Sequence, residues 1–322
     1  MSDPALPERT VIVAPALVRP LLAPLLPHGV EARWFANNDE AIALAPLADI
    51  FWVDQFTLDD PHDAALAATR ARWLHTTLAG LSNIPVDLAR ERGIVVTKGT
   101  GLTSDAVADF GLMGVLMLAK RADEIVRAQA RREWLPRPPG DADLAGARAL
   151  IIGYGAIGSR LGARLAACGM AVTGVRRVPQ PARGILGADE WRARLGDFDY
   201  VILAAPETPA TAHMIGVAEF AAMKPSARFL NIARGTMVDQ DALLATMTRG
   251  HLAAAFIDVT DPEPLPPDHP LWGAPNTIIT MHMSGRGNLP TLQRAAERFA
   301  ANVSRFLAGQ PLEAVADLAR GY

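Results

Sequence analysis

The sequence predicts an α/β protein built from two doubly wound parallel-sheet domains, and three observations predict it. Strand-like apolar runs alternate with helical patterns from end to end, the order expected of a parallel sheet covered by helices. At 322 residues the chain has room for roughly two domains of ~100–200 residues each. Its residues are 50% hydrophobic and 20% charged, which supplies a core for both domains and argues against a disordered chain.

The elements follow in order. "TVIVAPA" reads as a strand and "VRPLLAPLLP" as a helix. "DIFWVD" and "RWLHTTLA" are strands on either side of a helical "DAALAATRA". "PVDLARERG" is a short helix ending at Gly93, and "IVVTKG" is the next strand. Ser104 suits the N-cap of one long helix, "DAVADFGLMGVLMLAKRADEIVRAQARREW". Its first half is apolar nearly all round and is expected to be buried. The second half, Arg121 to Arg132, keeps only a narrow apolar stripe at Ile125 and Val126 and is expected to leave the domain body. "LPRPPGD" stops it. A second α/β series runs from "ARALIIG" to "NTIITMHM", and "TLQRAAERFAANVSRFLAG" is an amphipathic helix closed by Gly309. Chain crossings between the domains are expected near Lys98–Gly101 and Gly285–Asn288, giving 1–98 with 288–322 as one domain and 99–287 as the other.

Bulk properties exclude several classes. A net charge of −3 gives no reason to expect a nucleic-acid or anionic-membrane partner. The single cysteine, Cys168, forbids an internal disulfide and reads as a buried small hydrophobe. "MSDPALPERT" lacks the profile of a signal peptide, and no apolar run reaches the ~18 residues of a membrane span. The expectation is a soluble cytoplasmic protein with no bound metal.

"ALIIGYGAIGSRLGARLAACG" is a strand, a glycine turn and a helix. In the turn Gly153-Tyr154-Gly155-Ala156-Ile157-Gly158, the first glycine allows the backbone shape and the second lets the main chain approach a pyrophosphate. The third lets the helix pack close to the strand. The helix N-terminus favours the phosphates. With a second strand "MAVTGV" following, this context marks a dinucleotide site of Rossmann type. That second strand commonly ends in an acid that binds the ribose 2′-OH of NAD; here Arg176 and Arg177 stand in its place. A guanidinium binds a 2′-phosphate through paired charge-assisted hydrogen bonds, so NADP(H) is the preferred cofactor. A merely basic surface turn would leave NAD(H) possible.

Three more residues lie just past predicted strands: Arg234 in "FLNIARGTMVDQDAL", Glu263 in "AAFIDVTDPEPLPPDHPLW" and His282 in "NTIITMHMSG". Singly, each reads as a surface arginine, a solvated loop acid and a structural histidine. Together, at the carboxyl edge of a sheet that binds a dinucleotide, they make a cation, a carboxylate and an imidazole.

Those motifs, with "LAGLSNIPVDLARERGIVVTKG", "SDAVADFGLMGVLMLAKR", "PETPATAHMI" and the final "VADLARGY", resemble the D-isomer-specific 2-hydroxyacid dehydrogenases over nearly the whole chain. The similarity is greatest to the glyoxylate/hydroxypyruvate reductase branch. The resemblance implies a Rossmann cofactor domain inserted into a flavodoxin-like substrate domain, and a homodimer formed through an arm such as the one ending at Trp134. It implies NADPH-linked reduction of a small 2-keto acid to a D-2-hydroxy acid. His282 would donate the proton, Glu263 would keep that imidazole charged, and Arg234 would bridge the keto oxygen and carboxylate. Backbone N–H groups of Ala79, Gly80 and Leu81 would hold the carboxylate, Asp258 would meet the nicotinamide amide, and Ala205 and Pro206 would pass the adenosine.

Two departures stand out: Met281 where the family commonly has proline, and Ala79-Gly80-Leu81-Ser82 where it often reads Val-Gly-Val-Asp. Trp52, Asp54, Gln55 or Phe56 could touch the variable part of the substrate, Trp52 being equally suited to the core. Two rivals remain. One is a dinucleotide-sensing, corepressor-like relative. The other is a formate- or phosphite-oxidising enzyme, disfavoured because formate-type relatives carry glutamine at the position of Glu263.

Overall fold

The computed structural model describes residues 9–54, 61–78, 80–81, 83–286 and 289–319. The chain forms two compact units, Met1–Thr103 with Gly287–Tyr322, and Ser104–Arg286.

In the first unit the strands are β1 (Thr10–Pro15), β2 (Val30–Phe35), β3 (Ile50–Trp52), β4 (Trp73–His75) and β5 (Val95–Thr97). All pairings are parallel, in the order β2-β1-β3-β4-β5, the flavodoxin-like arrangement. Successive residues serve opposite faces. Val13, Phe51, Val53 and Leu74 pack with the alanine-rich helices Asn38–Leu44, His62–Ala67 and Val86–Glu91. Ile12, Ala14, Ile50, Trp52 and Trp73 pack with Phe299, Ala296 and Val303 of the helix Leu289–Leu307. Phe299 stacks on Trp73 at 4.9 Å and meets Trp52 at 4.8 Å between ring centroids. Trp52 is therefore core.

The second unit holds β6 (Arg148–Ile152), β7 (Ala171–Val175), β8 (Ile185–Leu186), β9 (Tyr200–Leu203), β10 (Arg228–Asn231), β11 (Ala254–Ile257) and β12 (Thr277–Ile279). Their order, β12-β11-β10-β9-β6-β7-β8, is parallel throughout and reverses direction at β6. This is the Rossmann order with one added strand. Leu150, Ile152, Val201, Leu203, Phe229 and Ile257 line one core. Ala149, Ile151, Ile202, Leu230 and Phe256 line the other, beneath the helices Ser104–Lys120 and Ala156–Ala167.

Several sequence expectations change. The long helix is two helices, Ser104–Lys120 and Ala122–Arg131, broken where Arg121 takes a left-handed φ of 50°. Ser104 is the first helical residue rather than a cap outside it. In "VRPLLAPLLP" only Arg19–Leu22 is α-helical; Pro24 lies in the 3-10 turn Ala23–Leu25 that follows, since its missing N–H cannot continue the helix. The strand Val30–Phe35 and the helix Asn38–Leu44 were not anticipated. Their signals are the alternation of Val30, Ala32 and Trp34 with Glu31 and Arg33, and the cap in which Asn37 accepts from the N–H of Glu40 at 2.9 Å. Cys168 lies at the C-cap of the helix Ala156–Ala167 and is only partly buried. The terminal helix ends at Leu307, and Gly309 follows with φ 65°.

Candidate active site

The glycine turn leaves the carboxyl end of β6, where the strand order reverses. Gly153 has φ 100°, and a Cβ there would stand 2.2 Å from the backbone nitrogen of Ala205. Only glycine fits between the turn and the chain leaving β9. The N–H groups of Gly153 and Tyr154 both donate to the carbonyl of Val175, at 3.1 and 2.8 Å, which ties the turn to the end of β7. Gly155 faces open space, with nothing within 4 Å of a Cβ placed on it. It is the N-cap of the helix Ala156–Ala167 and brings no side chain to cap it, so the turn leaves the first N–H groups to an anion. Ala156 is exposed, Ile157 half-buried and Gly158 buried in the first helical turn. These features fit a dinucleotide pyrophosphate. Tyr154 adds something the sequence did not reveal: its ring lies against Gly162 and Gly174, leaving no space for a Cβ at either.

Arg176 and Arg177 follow β7 and are exposed. The N–H of Arg176 donates to the carbonyl of Leu186 at 3.0 Å, fixing its backbone at the edge of the sheet. Ala205 is half-buried and Pro206 exposed just beyond β9.

Arg234, Glu263 and His282 follow β10, β11 and β12, so a parallel sheet delivers all three to its carboxyl edge. His282 Nδ1 lies 2.7 Å from Glu263 Oε2, with both side chains a little over one-third exposed. The other carboxylate oxygen, Oε1, accepts the N–H of Thr260 at 3.0 Å. Burial works against the charge on Glu263. The hydrogen bonds from His282 and Thr260, with the charges of His282 and Arg234, outweigh it and hold the carboxyl below the ordinary glutamate range.

Arg234 is set by Asn231, a residue not singled out in the sequence. The Asn231 amide donates to the carbonyl of Arg234 at 2.9 Å while its oxygen accepts the N–H of Ala233 at 3.0 Å. Gly235 then passes so close to Thr260 that a Cβ would stand 2.0 Å from the Thr260 carbonyl oxygen. That approach brings the arginine loop against the loop carrying Glu263. The legible signal was an asparagine closing a strand, a residue that turns its own backbone.

Asp258 occupies an unforeseen place. It is fully buried, and its carboxylate accepts from the hydroxyl of Thr280 at 2.7 Å, the N–H of Met283 at 2.9 Å and the N–H of Ser284 at 3.3 Å. Its carbonyl accepts the N–H of His282 at 2.5 Å. Asp258 thus binds the inner side of the turn that carries the imidazole. Met281 and His282 are both left-handed there, with φ 54° and 56°.

In the first unit, Ala79, Gln55 and Phe56 lie outside the described residues. Gly80 faces open space, Leu81 is anchored in the core, and Asp54 is buried beneath the loop.

A parallel sheet with a phosphate-binding turn at its switch point, and an arginine, a carboxylate and an imidazole along the same edge, is the arrangement of a dinucleotide-linked oxidoreductase. Residues 112–284 match the family model for the D-isomer specific 2-hydroxyacid dehydrogenase NAD binding domain. The chain is 33% identical over 264 residues to a glyoxylate reductase of Korarchaeum cryptofilum, covering 79% of each protein. It is 32% identical over 274 residues to glyoxylate/hydroxypyruvate reductase A of Serratia proteamaculans, covering 81% of this chain and 85% of that one. A crystal structure of a D-isomer specific 2-hydroxyacid dehydrogenase family protein from Aeromonas salmonicida superposes with a TM-score of 0.85 at 27% identity, over 97% of this chain and 100% of that one. The chain belongs to the D-isomer specific 2-hydroxyacid dehydrogenase family, and it is an oxidoreductase with a nicotinamide cofactor. No helix among the described residues is long and apolar enough to cross a membrane, and no cluster of metal-ligating side chains occurs among them.

Proposed function

We propose that the protein reduces small 2-keto acids of the glyoxylate and hydroxypyruvate type to D-2-hydroxy acids, with NADPH preferred over NADH. The 2.7 Å contact between His282 Nδ1 and Glu263 Oε2 carries the reading. A carboxylate on Nδ1 fixes the ring and leaves Nε2 as the atom that holds the transferable proton. Arg234, whose charge reaches Glu263, binds the carboxylate and keto oxygen of the substrate and stabilises negative charge as it develops on that oxygen. Asp258 keeps the turn of His282 in place at the nicotinamide end.

When bound, the nicotinamide supplies the hydride. Residues 153–158 would hold the pyrophosphate, Ala205 and Pro206 would flank the adenosine, and Arg176 and Arg177 would receive the 2′-phosphate. No carboxylate stands at the end of β7 to repel that phosphate. Gly80 and Leu81, with Ala79, would offer backbone N–H groups to the substrate carboxylate.

The reading includes a homodimer. Leu116, Ile125 and Val126 are 42%, 47% and 62% exposed on the helices Ser104–Lys120 and Ala122–Arg131, and Trp134 beyond them is 96% exposed. Such apolar exposure fits a covered surface.

The test is oxidation of NADPH and NADH followed by absorbance with glyoxylate, hydroxypyruvate and several bulkier 2-keto acids. Turnover of the small acids, faster with NADPH, is expected. Tight NADPH binding with no turnover of any acid would replace this reading with a dinucleotide sensor.

A further inference from the structure

Asp54 is a buried carboxylate, 4% exposed, that the proposed chemistry leaves unused. The hydrogen bonds it accepts come from Thr77. The N–H of Thr77 donates to both carboxylate oxygens, at 3.0 and 2.9 Å, and the Thr77 hydroxyl donates to Oδ2. The Thr76 side chain adds to them. Burial pushes the Asp54 carboxyl up, and those hydrogen bonds oppose it.

These donors belong to one short run of chain. Thr76 passes the tie onward, its hydroxyl oxygen accepting the N–H of Leu78 at 3.1 Å. The Leu78 carbonyl accepts the N–H of Gly99 at 2.7 Å. The backbones pass so closely that a Cβ on Gly99 would stand 1.6 Å from the carbonyl oxygen of Thr77. On the far side Leu81 is sunk in the core, and its carbonyl accepts the N–H of Ile84 at 3.0 Å. The loop is pinned at 76–78 and again at 81, with Gly80 facing open space between the pins.

We infer that Asp54 is a positioning residue for substrate binding: its carboxylate holds residues 76–78 so that the backbone at Gly80 is presented to the carboxylate of a 2-keto acid. The inference rests on the functional reading above. A carboxylate suits the post because both groups that Thr77 turns toward it are donors, which an all-acceptor group satisfies. An amide of the same shape turns an N–H₂ toward one of them and leaves buried donors unmatched.

The test compares steady-state kinetics of wild type, Asp54→Asn, Thr77→Val and Thr77→Ser with glyoxylate and NADPH, alongside NADPH affinity by fluorescence. Asp54→Asn should raise KM for the acid roughly tenfold, with kcat reduced less than KM is raised and NADPH affinity unchanged. Thr77→Val, which keeps the N–H but loses the hydroxyl, should move KM the same way by less, and Thr77→Ser should restore it. Should Asp54→Asn fail to fold, the Thr77 pair decides: a raised KM in valine, restored in serine, supports the inference, and equal KM values overturn it. An unchanged KM in a folded Asp54→Asn, or equal losses in kcat, KM and NADPH affinity, overturns it too. A wild type that reduces no 2-keto acid overturns the functional reading and this inference together; a wild type that does, beside an Asp54→Asn of equal KM, overturns this inference alone.

Discussion

Nδ1 of His282 and Oε2 of Glu263 are 2.7 Å apart, which commits one face of the imidazole to the protein and leaves Nε2 for chemistry. His282→Ala should reduce kcat by ~10²–10⁴-fold, the usual worth of a positioned proton donor, with NADPH affinity unchanged by fluorescence titration. Near-normal turnover in that variant would assign the proton to another group.

The same contact predicts a pH dependence. Glu263 is held below its ordinary value, so its contribution is present above the unfolded value and is lost only as pH falls through the lower folded one. Wild-type kcat/KM should therefore show no loss traceable to Glu263 until pH has fallen below the ordinary glutamate range. Glu263→Gln removes the charge at every pH and should show a deficit throughout pH 5 to 8. A deficit that vanishes toward pH 5, because wild type falls to meet the variant, would contradict the depressed value.

At the end of β7, Arg176→Asp should shift the ratio of kcat/KM for NADPH over NADH toward NADH by ~10–100-fold, the range for lost hydrogen bonds to a charged group. A wild type that already prefers NADH would remove the 2′-phosphate argument.

Met281 gives a prediction that runs against the commoner residue of the family. Its φ of 54° cannot be adopted by proline, whose ring holds φ near −65°. Met281→Pro should unseat the turn bound by Asp258, lowering the thermal midpoint by several degrees for a loss of ~1–3 kcal/mol and reducing kcat. Met281→Gly, which adopts this φ freely, should be at least as stable as wild type. A fully active, equally stable Met281→Pro would show that the left-handed turn is not needed.

Much of this molecule was legible in its residues, for reasons that differ by element. The central strands of both sheets are buried on two faces and so read as continuous apolar runs, and the glycine turn announces a backbone shape that few other residues permit. Arg234, Glu263 and His282 were readable because each follows a strand, and parallel strands bring their ends to one edge. What escaped was held by tertiary contact. Arg121 breaks a helix that its periodicity continues, Asp258 turns inward to a loop far along the chain, and the half-exposed Val30–Phe35 strand lacks a strong apolar run. Asp54, one of four residues that could touch the substrate, is buried against Thr77, which follows the neighbouring strand and supplies donors that no local pattern reveals.

The contact of Phe299 with Trp52 and Trp73 also orders events during synthesis. Every strand of the β6–β12 sheet has been translated before Phe299 leaves the ribosome, whereas the β1–β5 sheet must wait, two indoles uncovered, for the last tenth of the chain to arrive. A chain truncated ahead of residue 289 should thus protect the later-made sheet from protease while the earlier-made one is still cut.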